Sequence, residues 1–175
     1  MNCGLLAGDS FQGEDWYANN NCARFAEKIE EKYMVLNTPL IIREENMRTQ
    51  LEKNPAVKPV LDCYENFNVI LLGIGETTTD STLGRCNISK EEILWAYQRG
   101  AKAIIGASFI DAGGNEMLTE QSNIFIGIKI HQIRKCKNVI AVAMGLEKVE
   151  AIKSALKGGY IHVLCTNLET ARKLL

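Results

Sequence analysis

The chain has 175 residues, of which 20 are Lys or Arg and 21 are Asp or Glu, so its formal net charge is −1. It therefore lacks the positive excess that draws a protein to DNA phosphates, and its 46% of hydrophobic residues excludes a disordered chain. The longest apolar runs are too short to span a bilayer, and the first residues carry no basic leader. We expect one domain over residues 1–175, in a cytoplasmic protein.

Five short apolar segments predict buried strands along the chain. They cover residues 33–36, 68–73, 101–109, 139–143 and 160–165. Each is almost continuously apolar, which is typical of a parallel sheet covered on both faces. The sequence therefore predicts an α/β fold, an open and mainly parallel sheet with helices on both faces.

Helices are predicted between and after these strands. Residues 18–31 place apolar side chains three and four positions apart, which gives one buried stripe. Residues 89–92 and 166–169 both match the S/T-x-x-E capping box that begins a helix. Residues 146–156 form a further amphipathic helix, closed by two glycines.

The residue types used in metal and nucleophilic chemistry are scattered. Six cysteines show no C-x-x-C spacing, which argues against zinc and favours buried, reduced thiols. His131 and His162 lie in different predicted elements, so a core or strand-edge histidine is favoured over a catalytic base. Neither a G-x-S-x-G elbow nor a G-x-x-x-x-G-K-[ST] loop occurs. We predict no metal and no other cofactor.

The first candidate binding loop follows the strand at residues 68–73. Gly73 and Gly75 would allow close backbone approach, and the threonine hydroxyls at 77–79 could donate to an anion such as phosphate. A simple strand-ending turn is the alternative. Thr78 stands where a dinucleotide fingerprint needs its third glycine, so we do not expect a Rossmann cofactor site.

Two later loops are also candidates. Asp111 could accept hydrogen bonds from sugar hydroxyls, although aspartate before glycine is ordinary turn chemistry and the turn is favoured on residues alone. Lys148 lies in the first turn of the helix at 146–156, where its charge opposes the helix dipole. A bound anion would remove that unfavourable interaction, whereas the alternative is a solvated surface lysine.

Taken in order, these segments resemble the effector-binding domain of sorbitol-operon-type bacterial transcriptional regulators. The resemblance is carried by residues 69–75, 100–114, 139–152 and 158–175, and residues 19–28 are similar to the family's asparagine-bearing helix. It spans essentially the whole chain. It implies the fold of sugar-phosphate isomerases and glucosamine-phosphate deaminases, and it implies a sensor rather than an enzyme.

The family's motifs imply a phosphorylated sugar as effector. Lys148 would contact the phosphate, Asp111 the sugar hydroxyls, and glycine residues would let backbone amides reach the ligand. The predicted ligand-binding residues are Gly73, Gly75, Glu76, Asp111, Lys148 and Asn19.

The sequence departs from the family in its extent. It contains neither the family's DNA-binding helix-turn-helix nor its Gly-Gly-Thr-Thr phosphate loop, so we expect a partial effector domain whose DNA contacts come from a missing N-terminal domain. The resemblance also implies a homo-oligomer, a dimer or tetramer. Ala103 and Ile104 replace a frequent Gly-Asp pair, and Met144 replaces a frequent glycine.

Two alternatives stay open. An isomerase or deaminase of the same fold would need a carboxylate base next to the substrate carbon, and Glu76 and Asp111 are the candidates, although no sequence feature ties them together. A pure oligomerisation module with a vestigial pocket is the second.

Overall fold

The computed structural model describes residues 2–4, 6, 18–78, 89–106, 108–117 and 124–175. The strands in these ranges are β1 (Asn2–Gly4), β2 (Lys32–Met34), β3 (Ile70–Gly73), β4 (Gly75–Glu76), β5 (Ala101–Ile105), β6 (Ser108–Asp111), β7 (Val139–Val142) and β8 (Val163–Cys165). The helices are α1 (Ala18–Lys28), α2 (Glu45–Glu52), α3 (Lys58–Cys63), α4 (Lys90–Gln98), α5 (Ile130–Lys135), α6 (Val149–Lys157) and α7 (Leu168–Leu174). Among these helices, none has the length and apolar character needed to cross a membrane.

A parallel sheet of β3, β7 and β8 forms the centre of the fold. In its register Leu71 lies opposite Ile140, and Ile140 lies opposite Val163. The alternate residues of β3 and β7 are buried in the main hydrophobic core together with the apolar side of α6. β1 and β2 form a second parallel pair. The predicted α/β fold with a parallel sheet and helices is confirmed.

The segment at residues 101–109 is not one strand, and this prediction was wrong. β5 and β6 pair antiparallel, and with β4 they form a separate antiparallel sheet. The chain reverses near Gly106, whose φ of +58° is left-handed. Both strands are buried on both faces, because Ile105 packs in the main core while Ile104 packs in a second cluster. The hydrophobic pattern at residues 101–109 therefore shows no break at the turn, and Gly106 is the one residue that indicates it.

One of the two predicted capping boxes is confirmed. At the start of α4, the Glu92 backbone N–H donates to Ser89 Oγ at 3.1 Å, and the Ser89 N–H donates to Glu92 Oε2 at 2.8 Å. The last helix begins one residue later than predicted, because Asn167 is its N-cap and accepts the Thr170 N–H at 2.9 Å. The box at 166–169 is thus wrong, since asparagine caps a helix as well as threonine does.

Candidate functional site

Two of the three candidate loops meet at one edge of the parallel sheet. Gly73, the last residue of β3, lies opposite Val142, the last residue of β7. Because parallel strands point the same way, the loops that follow them open on the same side, where ligands of open α/β sheets bind. The loop at residues 73–76 and the segment that leads into Lys148 are therefore neighbours.

Lys148 reaches from the start of α6 across to the first loop. It ends a 3-10 turn (Leu146–Lys148) and is the N-cap residue of α6. Its Nζ donates to the Ile74 carbonyl oxygen at 3.3 Å and lies 3.7 Å from Glu76 Oε2. The Lys148 and Glu76 side chains are only 28% and 15% exposed. A half-buried ammonium and a half-buried carboxylate thus stand together beside the end of β3.

The backbone around this pair differs between the two predicted glycines. A Cβ at Gly73 would meet only the Val142 carbonyl oxygen, at 4.0 Å, so the end of β3 is open. Gly75 is more enclosed, since it pairs with Ile104 and a Cβ there would lie 3.6 Å from the Ile104 Cβ. Close approach of a ligand to the backbone is therefore easier at Gly73.

A contact that the sequence reasoning missed fixes the loop before Lys148. Gly145 has φ +121°, and its N–H donates to Thr170 Oγ1 at 2.9 Å. Thr170 is fully buried in α7. A Cβ at Gly145 would clash with Glu147 Oε1, so this carboxylate folds back over the glycine. The glycine itself was the available signal, whereas nothing local in the sequence links residue 145 to residue 170.

Asp111 lies at the other end of α6. Its Oδ1 accepts the backbone N–H groups of Gly113 and Asn115, both at 2.8 Å. The backbone N–H of Asn115 is the main cause that lowers the pKa of this carboxyl group. The Asp111 carbonyl oxygen accepts the Ser154 hydroxyl, six residues after Lys148. The structure gives Asp111 the turn geometry and does not bring it to Lys148, nor does it assemble it with Glu76 as a catalytic pair.

The remaining candidates lie elsewhere. Asn19 is the second residue of α1, which packs on β1 and β2 rather than on the strands that lead to Lys148. His162 is at a strand edge, where its Nδ1 accepts the Val139 N–H at 3.1 Å. Thr77 is buried and donates to the Ala101 carbonyl oxygen at 2.8 Å, so its hydroxyl binds the backbone of β5. Thr79 falls outside the residues described.

A cavity of about 470 Å³ lies beside α4, away from Lys148. Its lining includes Arg43, Ser89, Glu92, Trp95, Phe109 and Ile124. The Arg43 guanidinium is already held by Glu92 through two hydrogen bonds of 2.8 and 2.7 Å. The Arg43 guanidinium in this cavity is therefore already paired with a carboxylate of the protein.

Comparison with known proteins identifies the family. The model of a family described as "Putative sugar-binding domain" matches residues 5–175. The chain belongs to this family. The similarity to sorbitol-operon-type regulators predicted from the motifs is thereby confirmed.

The relatives of this sugar-binding domain are named as transcriptional regulators. The chain is 26% identical over 171 residues to the deoxyribonucleoside regulator of Bacillus subtilis, covering 98% of the chain and 55% of the relative. It is 27% identical over 173 residues to the sorbitol operon regulator of Klebsiella pneumoniae, again covering 98% and 55%. The chain thus spans about half the length of the curated relatives it matches.

A solved relative shares the fold of this sugar-binding domain. A DeoR family transcriptional regulator from Listeria monocytogenes superposes with a TM-score of 0.90 at 26% identity, covering 100% of this chain and 69% of that one. The family match and this superposition agree in assigning the chain to a sugar-binding domain family. The six predicted site residues stay predictions.

Proposed function

We propose that this domain is the sensor of a bacterial transcriptional regulator and that it binds a phosphorylated sugar between Lys148 and the loop at residues 73–76. The observation that carries the proposal is the position of Lys148 Nζ, 3.3 Å from the Ile74 carbonyl oxygen at the open carboxyl end of β3. In an open α/β sheet this is where loops and helix N-termini converge on a ligand.

The phosphate is favoured by two features of α6. An ammonium group has three N–H donors, and Lys148 directs one to Ile74, so others can donate to phosphate oxygens. Lys148 is also the N-cap residue of α6, and its side chain does not cap the first turn of that helix. Backbone N–H groups at a helix N-terminus attract anions, and here they would act together with the ammonium group.

The sugar part is favoured by Glu76. A carboxylate accepts hydrogen bonds and cannot donate them when ionised, so it pairs with hydroxyl groups rather than with phosphate oxygens. Glu76 Oε2 lies 3.7 Å from Lys148 Nζ, which places an acceptor for hydroxyls next to a donor for phosphate. A ligand that has both groups on adjacent atoms matches this arrangement.

Thermal melting with a panel of sugar phosphates tests the proposal. A ligand that binds only the folded state stabilises it by RT ln(1 + [L]/Kd), so a hexose, pentose or triose phosphate should raise the Tm of the whole regulator. Lys148→Ala should weaken the responsive ligand by about 1.5–3 kcal/mol, the range for a hydrogen bond to a charged group.

Lys153→Ala is the matched control, because Lys153 lies on the same helix and forms an ion pair with Glu150, at 3.4 Å, away from the loop at residues 73–76. It should leave the affinity unchanged. If no sugar phosphate raises the Tm, the sensor proposal fails. If Lys148→Ala and Lys153→Ala have equal effects on a responsive ligand, the site is elsewhere.

The rest of the proposal concerns the whole protein. We propose that residues 1–175 act as one effector domain of a cytoplasmic homo-oligomer, and that operator DNA is bound by a separate domain. The net charge of −1 supports a separate DNA-binding domain, since a nearly neutral chain is only weakly attracted to DNA phosphates. We also propose that the domain is not an enzyme. Incubation with aldose and ketose phosphates should give no interconversion, and turnover would contradict this.

A further inference from the structure

The cavity beside α4 combines an apolar lining with charged side chains, and we call it the α4 cavity. Its volume of about 470 Å³ lies within the roughly 300–1,000 Å³ that is typical of small-molecule sites. Trp95, Phe109 and Ile124 supply its apolar lining. The α4 cavity therefore has the size and the aromatic character to hold a flat ring with a short side chain.

The apolar lining is held in place by its neighbours. Phe109 and Ile124 are almost wholly buried and belong to the second core cluster. The Phe109 ring meets the Phe125 ring edge-on, with 5.6 Å between the ring centres. The Arg99 guanidinium carbon lies 4.3 Å from the centre of the Trp95 ring and covers it on one side. A ligand would therefore find this lining preformed, which lowers the entropy that its binding costs.

The charged side chains of the α4 cavity leave one carboxylate over. Arg43 and Glu92 bind each other through two hydrogen bonds of 2.8 and 2.7 Å, and Glu92 also accepts the Ser89 N–H at 2.8 Å. Glu91 is exposed and forms no ion pair with any residue that the structure describes. One arginine and two glutamates give the lining a net charge of −1. The excess negative charge is that of Glu91.

This lining selects the charge of a ligand. An anion such as a phosphorylated sugar would be repelled by the Glu91 carboxylate, and Arg43 is already bound to Glu92. An ammonium group would instead gain a carboxylate partner, and cations are also attracted to the faces of aromatic rings. An aromatic ring attached to that ammonium group would contact the Trp95 side of the cavity. The matching chemical class is an aromatic amine.

We propose that the α4 cavity binds an aromatic amine, with its ammonium group at Glu91 and its ring against Trp95. The inference goes beyond the sugar-phosphate site and does not depend on it, because neither residue contributes to the surroundings of Lys148. The two sites select opposite charges. Lys148 supplies a cation at one of them, and Glu91 supplies a carboxylate at the other.

Calorimetric titration of the whole regulator tests the charge and the ring. Tryptamine should bind with a Kd of about 1 mM or lower. Indole-3-propionate has the same ring and linker with a carboxylate in place of the ammonium group, and it should bind at least about tenfold more weakly. Ethylamine keeps the ammonium group without the ring and should show no binding at about 10 mM. If tryptamine does not bind at about 10 mM, or binds no better than either of the other two, the proposal is overturned.

A matched pair of substitutions places the amine. Glu91 and Glu169 are exposed glutamates in the first turns of α4 and α7, but only Glu91 lines the α4 cavity. Glu91→Gln should weaken tryptamine about three- to fivefold, the range for a partly exposed ion pair, and Glu169→Gln should leave its Kd unchanged. Equal effects of the two substitutions would contradict the assignment. Lys148→Ala should also leave the tryptamine Kd unchanged, and a loss of binding there would move the amine to the other site and overturn the proposal.

Discussion

The hairpin turn at Gly106 gives the sharpest test of the fold. An alanine Cβ at this position would lie 2.8 Å from Ile128 Cγ2 and 2.9 Å from the Ile128 carbonyl oxygen. Ile128 is fully buried, so the neighbour cannot move into solvent. The left-handed backbone costs an L-residue about 1–2 kcal/mol, and forcing an extra carbon into a packed core costs about 1–3 kcal/mol. Gly106→Ala should therefore lower the free energy of unfolding by about 2–5 kcal/mol.

Gly159→Ala separates the two costs. Gly159 has φ +68°, close to the +58° of Gly106, but a Cβ there would meet nothing within 4 Å. Gly159→Ala should therefore lower the free energy of unfolding only by the cost of the left-handed backbone, about 1–2 kcal/mol. Urea unfolding of both variants measures the difference, provided that the slope m is unchanged. Equal losses of stability would refute the steric argument, and with it the position of the hairpin against Ile128.

Three further predictions concern the loop before Lys148, the Arg43–Glu92 pair beside α4 and the Asp111 turn. Thr170→Val should leave the Gly145 N–H without its acceptor and lower the free energy of unfolding, measured in urea, by about 1–3 kcal/mol. It should also weaken the binding of any sugar phosphate whose affinity responds to Lys148→Ala. Unchanged stability would show that the contact is not formed. The Arg43 hydrogen bonds lower the pKa of Glu92, so this carboxyl group stabilises the fold above pH 4.5 and loses that contribution as the pH falls below it. Glu92→Gln should therefore reduce the loss of stability in acid. A pH profile of stability that does not change would contradict this. Asp111→Asn should lower the Tm through its turn without changing the affinity for the responsive ligand, whereas a change in calorimetric Kd would restore Asp111 to the site.

The fold could be predicted from the sequence to the extent that local pattern decides it. The capping box at Ser89 and Glu92 was predictable because both partners lie within four residues. The hairpin at Gly106 was not, because β5 and β6 are buried on both faces and their apolar run matches that of one parallel strand. What distinguishes the two is the partner of each strand, and strand pairing is a property of the tertiary fold.

The candidate site, too, was predictable only where local sequence pattern decides the structure. The loops after β3 and β7 could be placed together from the sequence, because the ends of parallel strands share one edge of a sheet. The sequence could not show that Lys148 meets Glu76, because the two residues are 72 positions apart and meet only when α6 packs beside β4. The turn at Asp111 was predictable from the sequence, since aspartate before glycines makes a turn wherever the loop lies.

The pairing of Lys148 with Glu76 bears on which ligands this edge of the sheet can select. The ammonium group has a carboxylate at 3.7 Å and a carbonyl oxygen at 3.3 Å, so a neutral sugar would offer it no stronger acceptor than these. A phosphate group carries up to two negative charges and three acceptor oxygens, which lets it compete with Glu76 for the same donors. Displacement would free the Glu76 oxygens to accept sugar hydroxyls, so the two halves of a sugar phosphate would bind better together than either alone. If the proposed function holds, the site would favour the phosphorylated form because phosphate can displace the Glu76 carboxylate from Lys148, whereas a neutral sugar cannot.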